Sequence, residues 1–269
     1  MGIVGAARNF FGLASERGIA FTCNICGARN DVPRERIRRD VASCRSCESN
    51  VRLRAIVHLL SLALLGRSVA LPAFPTDKDI VGAGLSDWKG YAPRLAKKFQ
   101  YCNTFYHKHP KLDITAPPAE MHDSLRFLIA SDVFEHVPPP VSRAFDGAFA
   151  LLRPGGHLIF SVPYNSGDTP TIEHYPGMRD FAVSWIGGHR PVVRLTQHDG
   201  SLALDASPAF HGGLGQTLEM RVFGEHDLLS LLRRAGFVDI CVFSESAPEF
   251  GIYFFDGNWS LPIWARKPA

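Results

Sequence analysis

The sequence predicts an α/β protein, a doubly wound and mostly parallel sheet with a small cysteine-bearing unit in front and a cap inserted late. Three observations predict it. Short apolar runs alternate with amphipathic stretches from Asp79 onward, two Cys-x2-Cys pairs lie within residues 20–48, and a Pro- and Gly-rich stretch over 165–221 breaks the alternation. Apolar strands separated by helices are buried on both faces, as in a parallel sheet. With 269 residues, 46% of them hydrophobic, the chain can bury such a core without disulfide staples. Its apolar content and a net charge of only +3 exclude disorder as a description of the whole.

Taken in order, residues 1–16 place Ile3, Ala6, Ala7, Phe10, Phe11 and Leu13 at helical spacing, predicting a short amphipathic helix. Residues 51–66 read as a second helix, with Asn50 as N-cap and Gly66 as stop. Its apolar part, 55–66, is interrupted by His58 and is shorter than the ~20 residues of a bilayer span, so no membrane segment is expected. The start lacks the pattern of a signal peptide, and a soluble, cytoplasmic protein is expected. "DIVGAG" (79–84) is a strand, 88–99 a helix, 126–134 a strand and 141–152 a helix that "RPGG" ends. A strand over 157–163, a helix over 225–236 and strands at 237–243 and 261–267 follow, the last two forming a closing antiparallel pair. The organisation expected is a front unit over 1–66 and a sheet domain over 67–269. The cap at 165–221 is expected to be irregular, because it holds Pro170, Pro176, Pro191 and Pro208 and four of the eleven histidines.

Charge is unevenly placed. Residues 1–60 hold ten arginines, no lysine and five acids, a net of +5, whereas the remainder carries −2. The front unit is therefore either a phosphate or nucleic-acid surface or a solvated basic rim. Within it, Cys23-x2-Cys26-x17-Cys44-x2-Cys47 has the spacing that places four thiolates around Zn²⁺. Unconnected thiols, or two disulfides in a secreted protein, are the alternatives. Four cysteines leave no open coordination position, so a zinc ion here would be structural.

Gly82 and Gly84 follow a strand and precede a helix, where a ligand can approach the backbone. "KLDIT" (111–115), "SDVFEHV" (131–137) and "LLRPGGHLIFSVP" (151–163) follow at intervals that make this pattern more than a turn. Together these motifs resemble the class I S-adenosylmethionine-dependent methyltransferases, in particular the type 11-like group with "EHV" and "LRPGG", over roughly 76–163 and 222–267. The front unit, "CRSCESNVRLR" (44–54), resembles a zinc ribbon and arginine helix that precede this domain in a subgroup. The resemblance implies a Rossmann-like sheet of seven strands with the last antiparallel. It implies that a loop at Gly82, Ala83 and Gly84 lies against the cofactor's methionine and ribose, that Asp113 and Ile114 meet the adenine, and that Asp132 and Val133 line the methionine end. Two positions depart from the pattern. Ile80 stands where an acid is usual, and the second strand offers Asn103, Thr104 or Tyr106 in place of the acid that holds the ribose.

Transfer to a hydroxyl needs a group to take its proton, and histidine suits that task near neutral pH. His136, His174 and His211 are the candidates; Glu135–His136 read as a helix cap or loop pin is the alternative for the first. Arg52 and Arg54 point to opposite sides of their helix, so one can reach an anionic ligand while the other faces the ribbon. Three functions follow: O-methylation of a small-molecule or saccharide-type acceptor, RNA methylation with the basic ribbon as binding module, or a non-catalytic methyltransferase-like binding protein.

Overall fold

The computed structural model describes residues 18–211, 213–215, 217–255, 257 and 260–269, so the helix expected over 1–16 lies outside them. The ribbon opens with an antiparallel pair, β1 (Ile19–Thr22) and β2 (Arg29–Val32), whose connection holds the first cysteine pair. Helix α1 (Val51–Leu65) follows. The Asn50 side chain accepts from the Leu53 amide at 2.9 Å, and Gly66 closes the helix in the left-handed region at φ 65°.

The main sheet takes β3 (Val81–Leu85), β4 (Gln100–Thr104), β5 (Leu125–Ser131) and β6 (Leu152–Ser161), with α2 (Ala92–Lys98) and α3 (Ser142–Leu151) as connections. The cap follows with β7 (Tyr164–Asn165), β8 (Ile172–Glu173), β9 (Met178–Ile186), β10 (Arg190–Gln197), β11 (Leu202–Asp205), β12 (Phe210–His211), β13 (Thr217–Leu218) and β14 (Arg221–Gly224). Helix α4 (Glu225–Ala235), β15 (Val238–Val242) and β16 (Ile263–Arg266) complete the chain. The sheet order is β15-β16-β6-β5-β3-β4, with β16 antiparallel to both neighbours and the remaining pairs parallel.

Among the described residues this sheet has six strands, not seven. The "KLDIT" stretch makes one isolated bridge, Phe105 to Lys111, and then turns at Asp113. The Asp113 Oδ1 accepts from the amide and hydroxyl of Thr115, and this local turn competes with strand pairing. The cap also departs from expectation. It is not irregular but carries an antiparallel meander, β9-β10-β11, with a small core of Tyr175, Met178, Val193, Leu195, Leu218 and Met220. Its prolines sit at ends and on loops, except Pro191 near the start of β10.

Alternation along β5 shows how the sheet is covered. Leu128 and Ala130 join the α3 and α4 core, and Phe127 and Ile129 join the α1 and α2 core. The second cluster runs on through α1 into Phe21, Ile25, Val32 and Ile37 of the ribbon. Helix α1 is thus packed on the sheet and on the ribbon, and ten of its fifteen residues are buried. The ribbon shares a core with the sheet.

Just after β3 the acid Asp87 is buried and accepts hydroxyl hydrogen bonds from Tyr91, at 2.8 Å, and from Tyr101. Burial raises its pKa to about 7, while the Tyr101 and Tyr91 hydroxyls pull it down. The ordinary aspartate value is ~3.9, so between there and pH 7 the native state holds a proton that the unfolded chain has lost. The stability contributed by the protonated acid is complete below about pH 4 and is lost as the pH rises through 7. Asp87→Asn is therefore expected to flatten the fall in unfolding free energy between pH 5 and 8, by at most about 1.4 kcal/mol per pH unit. Urea denaturation across that range tests this; equal slopes in the two proteins contradict it.

Candidate active site

The strands of the parallel sheet end together at one edge. Ser131 and Ser161 close β5 and β6 in register, and their hydroxyls lie 3.2 Å apart. Asp132 follows at φ 54°, a left-handed turn that aims its carboxylate along the edge. The Arg39 Nη2 donates to Asp132 Oδ1 at 2.7 Å, Arg39 Nη1 to Oδ2 at 3.1 Å, and the Ser161 hydroxyl to Oδ1 at 2.8 Å. Arg52 adds a contact at 3.2 Å to Oδ2 and donates to the Ser131 hydroxyl at 2.6 Å. Burial pushes the Asp132 carboxyl up, but the charges of Arg52 and Arg39 outweigh it and hold the carboxyl below its ordinary range. Asp40 contacts the same two guanidiniums, at 2.7 Å to Arg39 and 2.9 Å to Arg52, so two carboxylates and two arginines meet at this edge.

Arg52 and Arg54 divide as their spacing predicts. Arg52 reaches the sheet edge, whereas Arg54 is fully buried in the ribbon. The Arg54 Nη1 donates to the Ser49 carbonyl at 2.9 Å, and its Nη2 donates to the Ser43 hydroxyl and the Gly251 carbonyl, each at 2.9 Å. Its guanidinium lies 4.6 Å from the centre of the Phe21 ring. No carboxylate among the described residues pairs with it, and burial lowers its pKa to about 10 while the neighbouring cysteines act in the other direction.

The four cysteines meet as their spacing predicts. Cys23 Sγ lies 3.7 Å from Cys47 Sγ, Cys26 Sγ lies 3.6 Å from Cys44 Sγ, and all four sulfurs fall within 4.8 Å of one another. A tetrahedral ion with metal–sulfur bonds near 2.3 Å sets sulfurs about 3.8 Å apart, whereas a disulfide needs about 2.0 Å. The sulfurs therefore fit a tetrathiolate ion, and such a group carries the negative charge that buried Arg54 lacks.

Gly82, Ala83 and Gly84 lie inside β3 and not in a loop after it, a correction to the expectation. They are small because neighbouring side chains occupy the space above them. A Cβ on Gly82 would strike the Phe127 ring, and one on Gly84 would strike Asp87 and Tyr101. The turn at the strand's carboxyl end is Ser86–Asp87, with Ser86 at φ 57°. Ile114 is 6% exposed within the α3 core, so it offers little face to a ring; Asp113 and Val133 remain half-buried.

The three candidate histidines converge. His136 ends the short turn Phe134–His136, and its Nδ1 donates to the Leu218 carbonyl at 2.8 Å, which leaves the lone pair on Nε2. That Nε2 lies 3.6 Å from Glu135 Oε1, and His211 Nδ1 lies 3.7 Å from the same oxygen. Glu219 joins the other two histidines, with His211 Nε2 at 2.6 Å from Oε2 and His174 Nε2 at 3.0 Å from Oε1. Burial raises the Glu135 pKa to about 7 and lowers that of His136, whereas contact with Glu135 raises that of His211. His189 and His198 sit at turns of the cap meander; the Nδ1 of His189 bonds back to the Gly187 carbonyl.

Arg221 fixes this arrangement. It is fully buried; Nη1 donates to the carbonyls of Phe134 at 3.0 Å and Val137 at 2.6 Å, and Nε donates to Glu173 Oε1 at 2.6 Å. The Met220 amide donates to the Glu135 carbonyl at 2.9 Å beside it. Sequence reasoning did not single out Arg39, Asp87, Glu219 or Arg221. Only the "TLEMR" run of one acid and one arginine among apolar residues offered a signal for the last two.

A family model described as a methyltransferase domain matches residues 68–242. No curated protein matches the chain. Among solved structures, the chain is 17% identical to the 1,6-didemethyltoxoflavin-N1-methyltransferase of Burkholderia thailandensis, with 86% of this chain and 82% of that one covered at a TM-score of 0.43. An S-adenosylmethionine-dependent methyltransferase of Mesorhizobium loti is 16% identical, with 74% and 96% covered at 0.42. One from Clostridium acetobutylicum is 11% identical, with 70% and 84% covered at 0.40. Likenesses at these scores carry no argument about the acceptor.

Replacing Arg221 with methionine strips two carbonyls and Glu173 of their donor within a buried turn. Arg221→Met is expected to cost about 3 kcal/mol in urea denaturation, the size of breaking a buried pair from one side. A loss below about 1 kcal/mol would show that the turn is held by other contacts.

Proposed function

The chain belongs to the methyltransferase domain family and is an S-adenosylmethionine-dependent methyltransferase; we propose that it methylates an oxygen of a small-molecule or saccharide-type acceptor held between the sheet edge and the cap. The observation that carries this reading is the meeting of His136, His174 and His211 around Glu135 and Glu219, where the cap docks on the turn after β5.

When bound, the cofactor supplies a methyl group on a sulfonium centre, and the protein's task is to align and deprotonate the acceptor. Asp132, Arg39 and Arg52 suit the charged amino-acid end of that cofactor, with Val133 beside them. Gly82, Ala83 and Gly84 support the strand end behind it, and Asp113 is assigned to the adenine side, with buried Ile114 holding that turn. Asp132 and His136 sit four residues apart on one turn, so the donor end and the histidine cluster are adjacent. His174 is assigned as general base. Glu219 holds its Nε2–H and so leaves the Nδ1 lone pair to accept the hydroxyl proton, a histidine oriented by a carboxylate.

A second reading, RNA as the acceptor, draws on an aromatic and cationic surface beside the ribbon. Arg34 lies 4.0 Å over Phe255, and Phe255 stacks on Tyr253 at 5.0 Å and 17°. Bases stack on such rings, and backbone phosphates pair with arginines. A salt-sensitive gel shift with structured RNA separates the two readings; no shift at low salt removes the second.

Calorimetry with the demethylated cofactor is expected to show binding to the wild-type protein and at least a tenfold loss in Arg52→Ala, the worth of one charge-assisted contact. His174→Ala should keep that binding and lose about 10²–10⁴-fold in turnover once an acceptor is in hand. Failure of the wild-type protein to bind the demethylated cofactor would overturn this reading.

A structural zinc ion on Cys23, Cys26, Cys44 and Cys47 completes the proposal. Because the ribbon shares a core with α1 and the sheet, loss of that ion should lower the stability of the whole chain. Cys44→Ser is expected to lower the melting temperature by several degrees, at about 2–4 °C per kcal/mol for a chain of this size. It should also weaken the thiolate-to-metal charge-transfer band of the cobalt-substituted protein, because one of four sulfur ligands is lost. An unchanged melting temperature and spectrum would refute the assignment.

A further inference from the structure

The Glu135 carboxylate poses a problem that the methyl-transfer reading does not solve. It is 0% exposed, and neither oxygen has a hydrogen-bond partner among the described residues. The two histidine nitrogens at 3.6 and 3.7 Å are beyond hydrogen-bond range. An unpartnered carboxylate in the interior is costly unless something positive joins it. Of the neighbouring side-chain cations, Arg221 gives Nη1 to two carbonyls and Nε to Glu173 while its buried Nη2 has no hydrogen-bond partner, and Arg52 is engaged by Asp40, Ser131 and Asp132. Asp132, the other acid of the turn, lies on the arginine side.

We propose that Glu135 Oε1, His136 Nε2 and His211 Nδ1 form a binding site for a divalent first-row transition cation, separate from the cysteine site. One ligand atom from each of the three residues lies within 4.8 Å of the others. Bonds of about 2.1 Å to a tetrahedral ion set ligands about 3.4 Å apart, so the observed 3.6 and 3.7 Å require contractions of a few tenths of an ångström. Both rings are already held as metal-bound imidazoles are held. The outer nitrogen of His136 donates to the Leu218 carbonyl, and that of His211 donates to Glu219. As neutral rings with the outer nitrogen protonated, each turns a lone pair toward Glu135. The ring planes meet at 85° with centroids 4.8 Å apart, so the two nitrogens approach from different directions.

Two imidazoles and one carboxylate suit zinc, manganese, iron or cobalt, and three protein ligands leave at least one position open. His211 is 35% exposed and His136 14%, so the open side faces solvent. An acceptor oxygen bound there would be polarised beside the His174–Glu219 pair. Cation binding itself stands apart from the acceptor reading, because it needs neither cofactor nor acceptor.

Equilibrium dialysis of the zinc-loaded, full-length protein against Mn²⁺ tests the site, since manganese prefers nitrogen and oxygen ligands to thiolates. One Mn²⁺ per chain is expected, displaced by excess Zn²⁺ so that total zinc reaches two per chain. Glu135→Gln and His211→Asn should each weaken Mn²⁺ binding at least tenfold while keeping the ribbon zinc at one per chain, which reports that they are folded. His174→Ala, outside the ligand set, should bind as the wild type does. Absence of both Mn²⁺ and a second Zn²⁺ in the wild-type protein would overturn the proposal, as would binding indifferent to Glu135→Gln and His211→Asn. Cation binding without methyl transfer would leave this site standing and remove the acceptor reading instead.

Discussion

One buried guanidinium holds the functional end of this protein in shape. Arg221, without solvent contact, clamps the carbonyls of Phe134 and Val137 and reaches Glu173 on the neighbouring cap strand. The turn between β5 and α3 and the base of the cap are thereby one unit. Burying a charged group this deeply is costly, and three acceptors on two elements offset the cost only when both elements are in place. The relative position of Glu135, His136, His174, His211 and Glu219 follows from that condition. The first two belong to the sheet edge and the other three to the cap.

A second charge cluster does the same work at the front. Asp132, turned outward by a left-handed backbone, collects Arg39 from the ribbon and Arg52 from α1. The ribbon therefore contributes directly to the sheet's carboxyl edge, and the shared core through Ile25, Ile37 and α1 makes that contribution rigid. The excess of arginine in the first sixty residues is mostly architectural where its partners can be named. Arg54 sits under the cysteines, and Arg39 and Arg52 sit on Asp132.

Much of the fold was legible because its signals are local. The caps of α1, the amphipathic α3 and α4, and the alternating faces of β5 are properties of short windows, and the structure follows them closely. The cysteine cluster was legible too, since two knuckles at that spacing leave little choice of geometry. The cap strands and the turn at Asp113 were not. Pairing of β9 to β11 depends on partners a few residues away across turns, and the Asx turn at Asp113 competes with a strand on nearly equal terms. The glycines of β3 misled for a related reason. A glycine pair after a strand signals ligand approach, but here the neighbours are Phe127, Tyr101 and Asp87, which no local pattern announces.

The sequence by itself determined the class of the fold, the family, the four metal-competent cysteines and the three histidines worth attention. All of these are written in residue type and spacing, which short-range chemistry reads. The tertiary structure alone decided that those histidines meet, that Glu135 and Glu219 stand between them, and that Asp132 draws two arginines from the ribbon side. Contacts such as Glu135–His211 and Arg39–Asp132 join residues 76 and 93 positions apart. Their formation depends on a common core and on buried charge, and neither has a period in the sequence.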